Sequence, residues 1–373
     1  MNVLQRWMGV GAGLVAGLSA ATPGVAQTGS GSVGAGVLYQ TFSFDAEGAG
    51  ALESLSLLTI PLSARARLGG GVTLELQGAY AQASQSWMGL DLDMSGLTDT
   101  QLSLSAPFAE GSVVLTALAV LPTGAESIEA REVVVAGTLA SDLLPLAVTS
   151  FGSGGGVGGS VAVSRAVGDF GLGLSVGYVV AGSYQPLEAS SAEYRPGDAL
   201  RVNAVVDRGV GGAGKLSFRL SLQHFSDDVV NDQNLFRSGD RYEGLASYSF
   251  AAGPRSSGLV YAAYQRRERG TFVVETDVFP SQDLVMLGGG ARVPVARGHL
   301  LPSVDLRLNR REDGGDQGYT VGVGASLEWP AGGVTLVPRL RGYLGSAELG
   351  SGVDSGFWGV ETGLSVRFGW RRP

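Results

Sequence analysis

Eight arginines share one alternate position in separate apolar segments: Arg65, Arg67, Arg201, Arg219, Arg307, Arg339, Arg341 and Arg367. Four acids share it too: Glu75, Asp207, Asp305 and Glu361. The stretch KLSFRLSLQ, residues 215–223, shows the arrangement, with Leu216, Phe218, Leu220 and Leu222 on one parity and Lys215 and Arg219 on the other. Successive side chains of a strand turn to opposite faces, so each charge stands behind a row of apolar groups. A surplus of guanidinium groups around an aqueous passage would attract and orient anions. The plainer reading of any one arginine is an ordinary ion pair of small individual worth.

Other reactive groups are sparse. The only histidines are His224 and His299. His224 beside Asp227 and Asp228 can be drawn as an acid–base pair, which makes a hydrolase with a rim histidine one alternative; no catalytic motif surrounds it, and a solvated histidine is simpler. Acids gather at Asp227, Asp228, Asp232 and Asp240, at Glu268, Glu275 and Asp277, and at Glu312, Asp313 and Asp316. Oxygen-rich loops suit calcium or bridging to lipopolysaccharide, but no twelve-residue ligand spacing appears, so solvated loops, no metal and no cofactor are expected. With no cysteine in 373 residues, there is no thiolate site and no disulfide framework.

The elements that position these groups come from the period-two pattern. Residues 1–26 carry one charge, Arg6, a short apolar stretch and a small-residue end at Gly24-Val25-Ala26, a secretory signal peptide. Residues 27–373 read as one domain. No later window is long and apolar enough for a spanning helix, and a formal net charge of −8 argues against nucleic acid as a partner. Sixteen alternating runs fall at about 33–44, 58–68, 72–80, 98–108, 112–122, 157–167, 170–182, 199–207, 215–223, 241–250, 258–266, 284–295, 300–309, 318–329, 334–345 and 357–370. Fourteen is the lower alternative.

Tight connections (69–71, 109–111, 167–169, 208–214, 251–257, 296–299, 330–333) alternate with longer, more acidic ones (85–97, 124–156, 183–198, 226–240, 267–283, 346–356). Short turns at one rim and long loops at the other, with an apolar register free of charge, predict a transmembrane antiparallel up-and-down β-barrel in the outer membrane. Aromatic girdles are expected from Phe108, Phe170, Phe250, Trp329, Phe368 and Trp370 at the short turns, and from Tyr80, Phe225, Tyr242, Tyr319, Tyr343 and Trp358 toward the loops. Pro61 and Pro338 lie inside strands, where bulges are expected.

The segment GVETGLSVRFGW resembles the C-terminal strand of Gram-negative outer-membrane proteins, with Phe368 and Trp370 in the alternating aromatic pattern that the insertion machinery reads; the trailing Arg371-Arg372-Pro373 departs from it. LPTGAE, Leu121–Glu126, resembles the lPTG segment of outer-membrane transporters for aromatic compounds and fatty acids, including the phenol meta-pathway type. The fatty-acid family's N-terminal hatch with its Asn-Pro-Ala motif has no counterpart here.

The longest connection, 124–156, opens on Thr123 and Glu126 at capping-box spacing, which predicts a helix running from there toward Pro145. General porins likewise have sixteen strands and fold their third loop inward. By that analogy Glu126, Glu129 and Glu132 would face the arginines across a constriction, with Val135, Leu139 and Leu143 either lining the passage or packing on the wall. The expectation is a passive channel or transporter for small solutes, hydrophobic or anionic, in contact with outer-membrane lipid and lipopolysaccharide. A non-conducting structural or adhesive barrel is the other alternative.

Overall fold

The computed structural model describes residues 30–45, 52–125, 127–211, 213–272, 278–313, 317–348 and 354–371. The signal segment 1–26 and Glu126 lie outside them. Sixteen antiparallel strands form one closed barrel: β1 (Ser30–Phe44), β2 (Leu52–Arg67), β3 (Thr73–Trp87), β4 (Leu90–Leu97 continued by Thr100–Phe108), β5 (Val113–Leu121), β6 (Gly156–Val167), β7 (Phe170–Ala181), β8 (Ala199–Val210), β9 (Gly214–Phe225), β10 (Arg241–Ala251), β11 (Ser257–Arg267), β12 (Gln282–Val295), β13 (Gly298–Arg311), β14 (Gly318–Ala331), β15 (Val334–Glu348) and β16 (Asp354–Arg371). Each strand pairs with its sequence neighbour, and β16 returns to β1 from Ser30↔Arg371 to Phe44↔Phe357. The alternation is that of a sheet solvated by hydrocarbon on one side. Leu220, Leu340 and Leu344 are among the most exposed side chains, while Leu55, Leu57 and Ala83 on the other parity are fully buried. No helix among the described residues is long and apolar enough to cross a membrane.

Several expectations are corrected in detail. Residues 85–97 are strand, not loop: β3 and β4 run on and meet in a two-residue turn, Met88-Gly89, where both φ values are positive (55° and 71°) as a hairpin of that length requires. The interior prolines produce no bulge. The β1–β2 ladder skips the positions opposite Ile60 and Pro61 and resumes in the same register, and the β14–β15 ladder does the same at Val337 and Pro338. Each proline thus turns its donor-less nitrogen to one neighbour and leaves the other ladder whole. In the girdles, Tyr242, Tyr319 and Trp358 face outward, but Phe225 and Tyr343 turn inward and are buried.

The long loops are also more ordered than solvated connections would be. Residues from 194–195, 227–230, 233–237, 270–272 and 278–279 form a second, five-stranded sheet beyond the barrel. Phe236 is buried in it against the rings of Phe272 and Phe279. Asp228 ties two of these loops together, accepting from Tyr194 Oη at 2.7 Å and the Gly197 amide at 2.7 Å; burial pushes its carboxyl above the usual range. Asp227 pairs with Arg237, Glu268 with Arg266, Glu312 with Arg269 and Asp313 with Arg311. Glu275, Asp277 and Asp316 lie outside the described residues.

Candidate functional site: an inward loop facing a basic wall

The third loop lies inside the barrel. Its helix, α1, spans only Glu132–Leu139, shorter than expected and starting later. Thr123 does not cap it; its hydroxyl donates to the Thr98 carbonyl at 3.0 Å and meets Thr100 Oγ1 at 2.8 Å. The reach-back contact is made instead by Glu132, whose carboxylate accepts the Glu129 amide at 2.8 Å. Val135, Leu139 and Leu143 are fully buried in a cluster with Phe42, Leu55, Leu57, Ala81, Ala83 and Met94. Of the two readings of these apolar residues, their burial is that of packing on the inner wall.

Two sets of polar contacts fix the loop. At its neck, β4 carries one extra residue between Leu97, opposite Tyr80, and Gln101, opposite Gln77. This bulge re-aims Asp99, whose carboxylate accepts the Gly124 amide at 3.1 Å and both the amide and hydroxyl of Ser153 at 2.7 Å. At its far end, Gln40 of β1 donates to the Pro145 carbonyl at 2.9 Å and accepts the Ala147 amide at 2.8 Å, while Thr320 of β14 donates to the Leu143 carbonyl at 3.0 Å. Gln40 also donates to Glu361 Oε2 at 2.9 Å, and Glu361 accepts from Tyr343 Oη at 2.8 Å and pairs with Arg339 at 2.5 Å. Glu361, expected to line a bore, is therefore a buried anchor beneath the loop. Gln40, Asp99 and Thr320 were not foreseen from the sequence.

The four inward acids named from the sequence are each matched. Glu75 pairs with Arg65 at 3.0 Å, Asp207 with Lys215 at 2.9 Å, Asp305 with Arg341 and Glu361 with Arg339. Arg341 lies along β14, where a Cβ at Gly322 would come within 2.8 Å of its guanidinium and displace it, and one at Gly324 would come within 2.7 Å of its stem and 2.6 Å of the Leu340 carbonyl, so glycine is required at 324. Arg67, Arg201, Arg219, Arg307 and Arg367 are in no salt bridge among the described residues. Arg201 donates to Gln223 at 2.9 Å.

Among the described residues, the loop interacts with the wall arginines through a residue other than Glu129 and Glu132. Asp142, just beyond α1, lies close enough to Arg241 and Arg307 to interact electrostatically with both. Glu129 instead pairs with its neighbour Arg131 at 2.6 Å. Arg241 was overlooked although its parity with Glu243 and Ser247 on β10 places it inward; it stacks over the Phe225 ring at 5.6 Å. The arrangement is thus two-sided. The loop covers the wall of β1–β4 and β14–β16; Arg307 of β13 stands at its edge, paired in the ladder with Thr320, and Arg201, Arg219 and Arg241 come from β8, β9 and β10 on the remaining wall.

Depth separates the ion pairs in energy. Arg65 and Glu75 are solvated, so Arg65→Ala is expected to change stability by less than about 1 kcal/mol. Removing Arg339 leaves a buried carboxylate that retains only neutral donors, and Arg339→Met is expected to destabilise by about 3 kcal/mol. Thermal unfolding followed by the mobility shift of the barrel on unheated gels checks the difference, which vanishes if Glu361 is solvated.

His224 faces outward beside Leu222 at the long-loop rim. Its Nδ1 meets Asp240 Oδ1 at 2.8 Å, not Asp227 or Asp228, and both groups are partly exposed. His299 lies at the start of β13, not in the tight turn expected, and its Nδ1 is 3.1 Å from Arg292 Nη2 of β12.

No protein-family model matches the chain, and no curated relative does. Among solved structures, the fold is similar to a mutant of the Rh. blastica porin (14% identity, 91% of this chain and 100% of that one, TM-score 0.38). It is also similar to an anion-selective porin from Comamonas acidovorans (14%, 92% and 99%, 0.40) and to a monoaromatic hydrocarbon channel (12%, 93% and 90%, 0.45).

Proposed function

We propose that this porin-like barrel is a passive outer-membrane channel that favours small anionic solutes. The observation that carries the reading is the loop pinned on one inner wall with inward arginines on the strands beyond it. Sixteen strands enclose enough width for an aqueous passage beside such a loop. Solute crosses by diffusion through the remaining space, and no step requires a bond to be made or broken. Arg201, Arg219, Arg241 and Arg307 raise the local concentration of anions, while Asp142 on the loop adds a negative charge, and charges of both signs around the passage orient dipolar solutes. Glu75, Asp207, Asp305 and Glu361 do not offset this, because each already has its own basic partner.

Single-channel recording of the purified protein in planar bilayers tests the proposal: discrete conductance steps with anions as the preferred carriers are expected, and a silent protein overturns it. The hydrolase alternative makes a separate prediction. His224→Ala is expected to leave conductance unchanged, and wild type is expected to release no product from lipid ester or peptide substrates; release that disappears in the variant would establish catalysis.

A further inference from the structure

The outward face of the barrel is apolar up to the short-turn rim, with one break. Among the described residues, the outward strand positions next to the short turns include Leu74, Phe108, Leu115, Val293, Leu336 and Phe368, and only two carry charge: Arg165 on β6 and Arg208 on β8. Their orientation follows from parity with exposed neighbours, Val161 and Val163 on β6 and Val206 and Val210 on β8. The strand between them, β7, presents Leu172 opposite Arg165 and Phe170 opposite Arg208. Arg208 lies over the Phe170 ring at 5.0 Å. The Arg165 side chain makes no hydrogen bond or ion pair among the described residues.

We propose that Arg165, Arg208 and Phe170 form a site for the phosphate group of a membrane phospholipid in the leaflet at the short-turn rim. The assignment rests on the reading of the barrel as a membrane channel. β6 and β8 lie about 10 Å apart across β7. Two arginine side chains rising from that spacing can both reach one anionic group above the Phe170 ring. A charge on the lipid face is tolerated only where its head reaches the headgroup layer, and guanidinium groups bind phosphate oxygens through paired, charge-assisted hydrogen bonds. Phe170, Leu172 and the valines below supply the surface along which acyl chains lie. Elsewhere around the rim an aromatic or aliphatic group occupies the equivalent height, which anchors the barrel without selecting a headgroup. Phospholipid is the committed occupant because the site faces the bilayer sideways, where a soluble anion would have no apolar contact to make.

Native mass spectrometry of the full-length protein, equilibrated in detergent with phosphatidylglycerol, tests this. Wild type is expected to retain one phospholipid, and Arg165→Gln/Arg208→Gln to bind it at least about tenfold more weakly, since loss of even one of its two charge-assisted contacts is worth about that much. Arg165→Lys/Arg208→Lys, which keeps the charge but not the paired geometry, is expected to fall between them. Arg297→Gln, in another turn of the same rim, should bind like wild type. The site is refuted if the phosphate-free diacylglycerol of the same chains binds equally well, if Arg297→Gln loses as much, or if inorganic phosphate displaces the lipid. Conductance of each preparation separates the two proposals. A conducting barrel that retains no lipid removes only the site, and a silent barrel that retains it removes only the channel.

Discussion

Replacing Arg201, Arg219 and Arg307 together by glutamine lowers the preference of the channel for anions by about tenfold. Each is a partly screened charge worth about 0.5 kcal/mol to a passing ion, and three such contributions approach the 1.4 kcal/mol that corresponds to a factor of ten. The reversal potential across a potassium chloride gradient reads the change directly. None of the three holds a salt-bridged acid in place, so the barrel should fold normally and pass current at a similar rate while discriminating less. Salt sharpens the test, because screening weakens the contribution of each arginine, so wild type and variant should converge as ionic strength rises. An unchanged ratio would mean that the passage runs elsewhere than between Asp142 and this wall.

The second large effect concerns the loop itself. Deleting residues 127–147 removes α1, Asp142 and the contacts to Gln40 and Thr320, while Asp99 keeps the neck of the shortened loop joined to β4. A helix with its side chains is about 10 Å across, so its removal is expected to raise single-channel conductance on the order of twofold or more. A gentler variant, Gln40→Ala with Thr320→Val, leaves the helix in place and removes its far attachment. Each lost hydrogen bond is worth about 1 kcal/mol, and the loop should then fluctuate, seen as open-channel noise and as protease cleavage near Pro145. If both variants conduct like wild type, the loop does not bound the passage.

The strands were legible because a lipid-facing barrel repeats one signal sixteen times: an apolar residue at every second position, as in Leu172, Leu174 and Val176, with charge confined to the other parity. What parity does not convey is depth. Glu75 and Glu361 look alike in the sequence, yet one meets solvent and the other lies under the loop. The loop's attachments were illegible for a related reason, since Gln40 and Thr320 are polar groups on an inward face, as any lumen residue would be, and only a contact more than a hundred residues away distinguishes them. Asp99 depended on a bulge that shifts register by one residue, which no local pattern announces. The second sheet escaped notice because its strands are two to five residues long, below the length at which alternation can be told from chance. Arg241 and Asp142 could have been found, the first by applying the parity rule to the end of β10 and the second by looking just past the helix.

The seam between β1 and β16 joins residues more than three hundred positions apart through a ladder as long as any in the wall. Until that last pairing forms, two strand edges stand open, and a bilayer offers neither of them a substitute partner. Assembly is therefore all-or-none with respect to the final hairpin, and damage there should appear as protein that never arrives rather than as protein that works poorly. Gly31, where any added side-chain carbon would collide with the Trp370 ring, is one such place. Because the first and last strands meet at the same rim, a circularly permuted chain reopened at another short turn should close around the same lumen once its new last strand carries an aromatic pattern like that of Phe368 and Trp370.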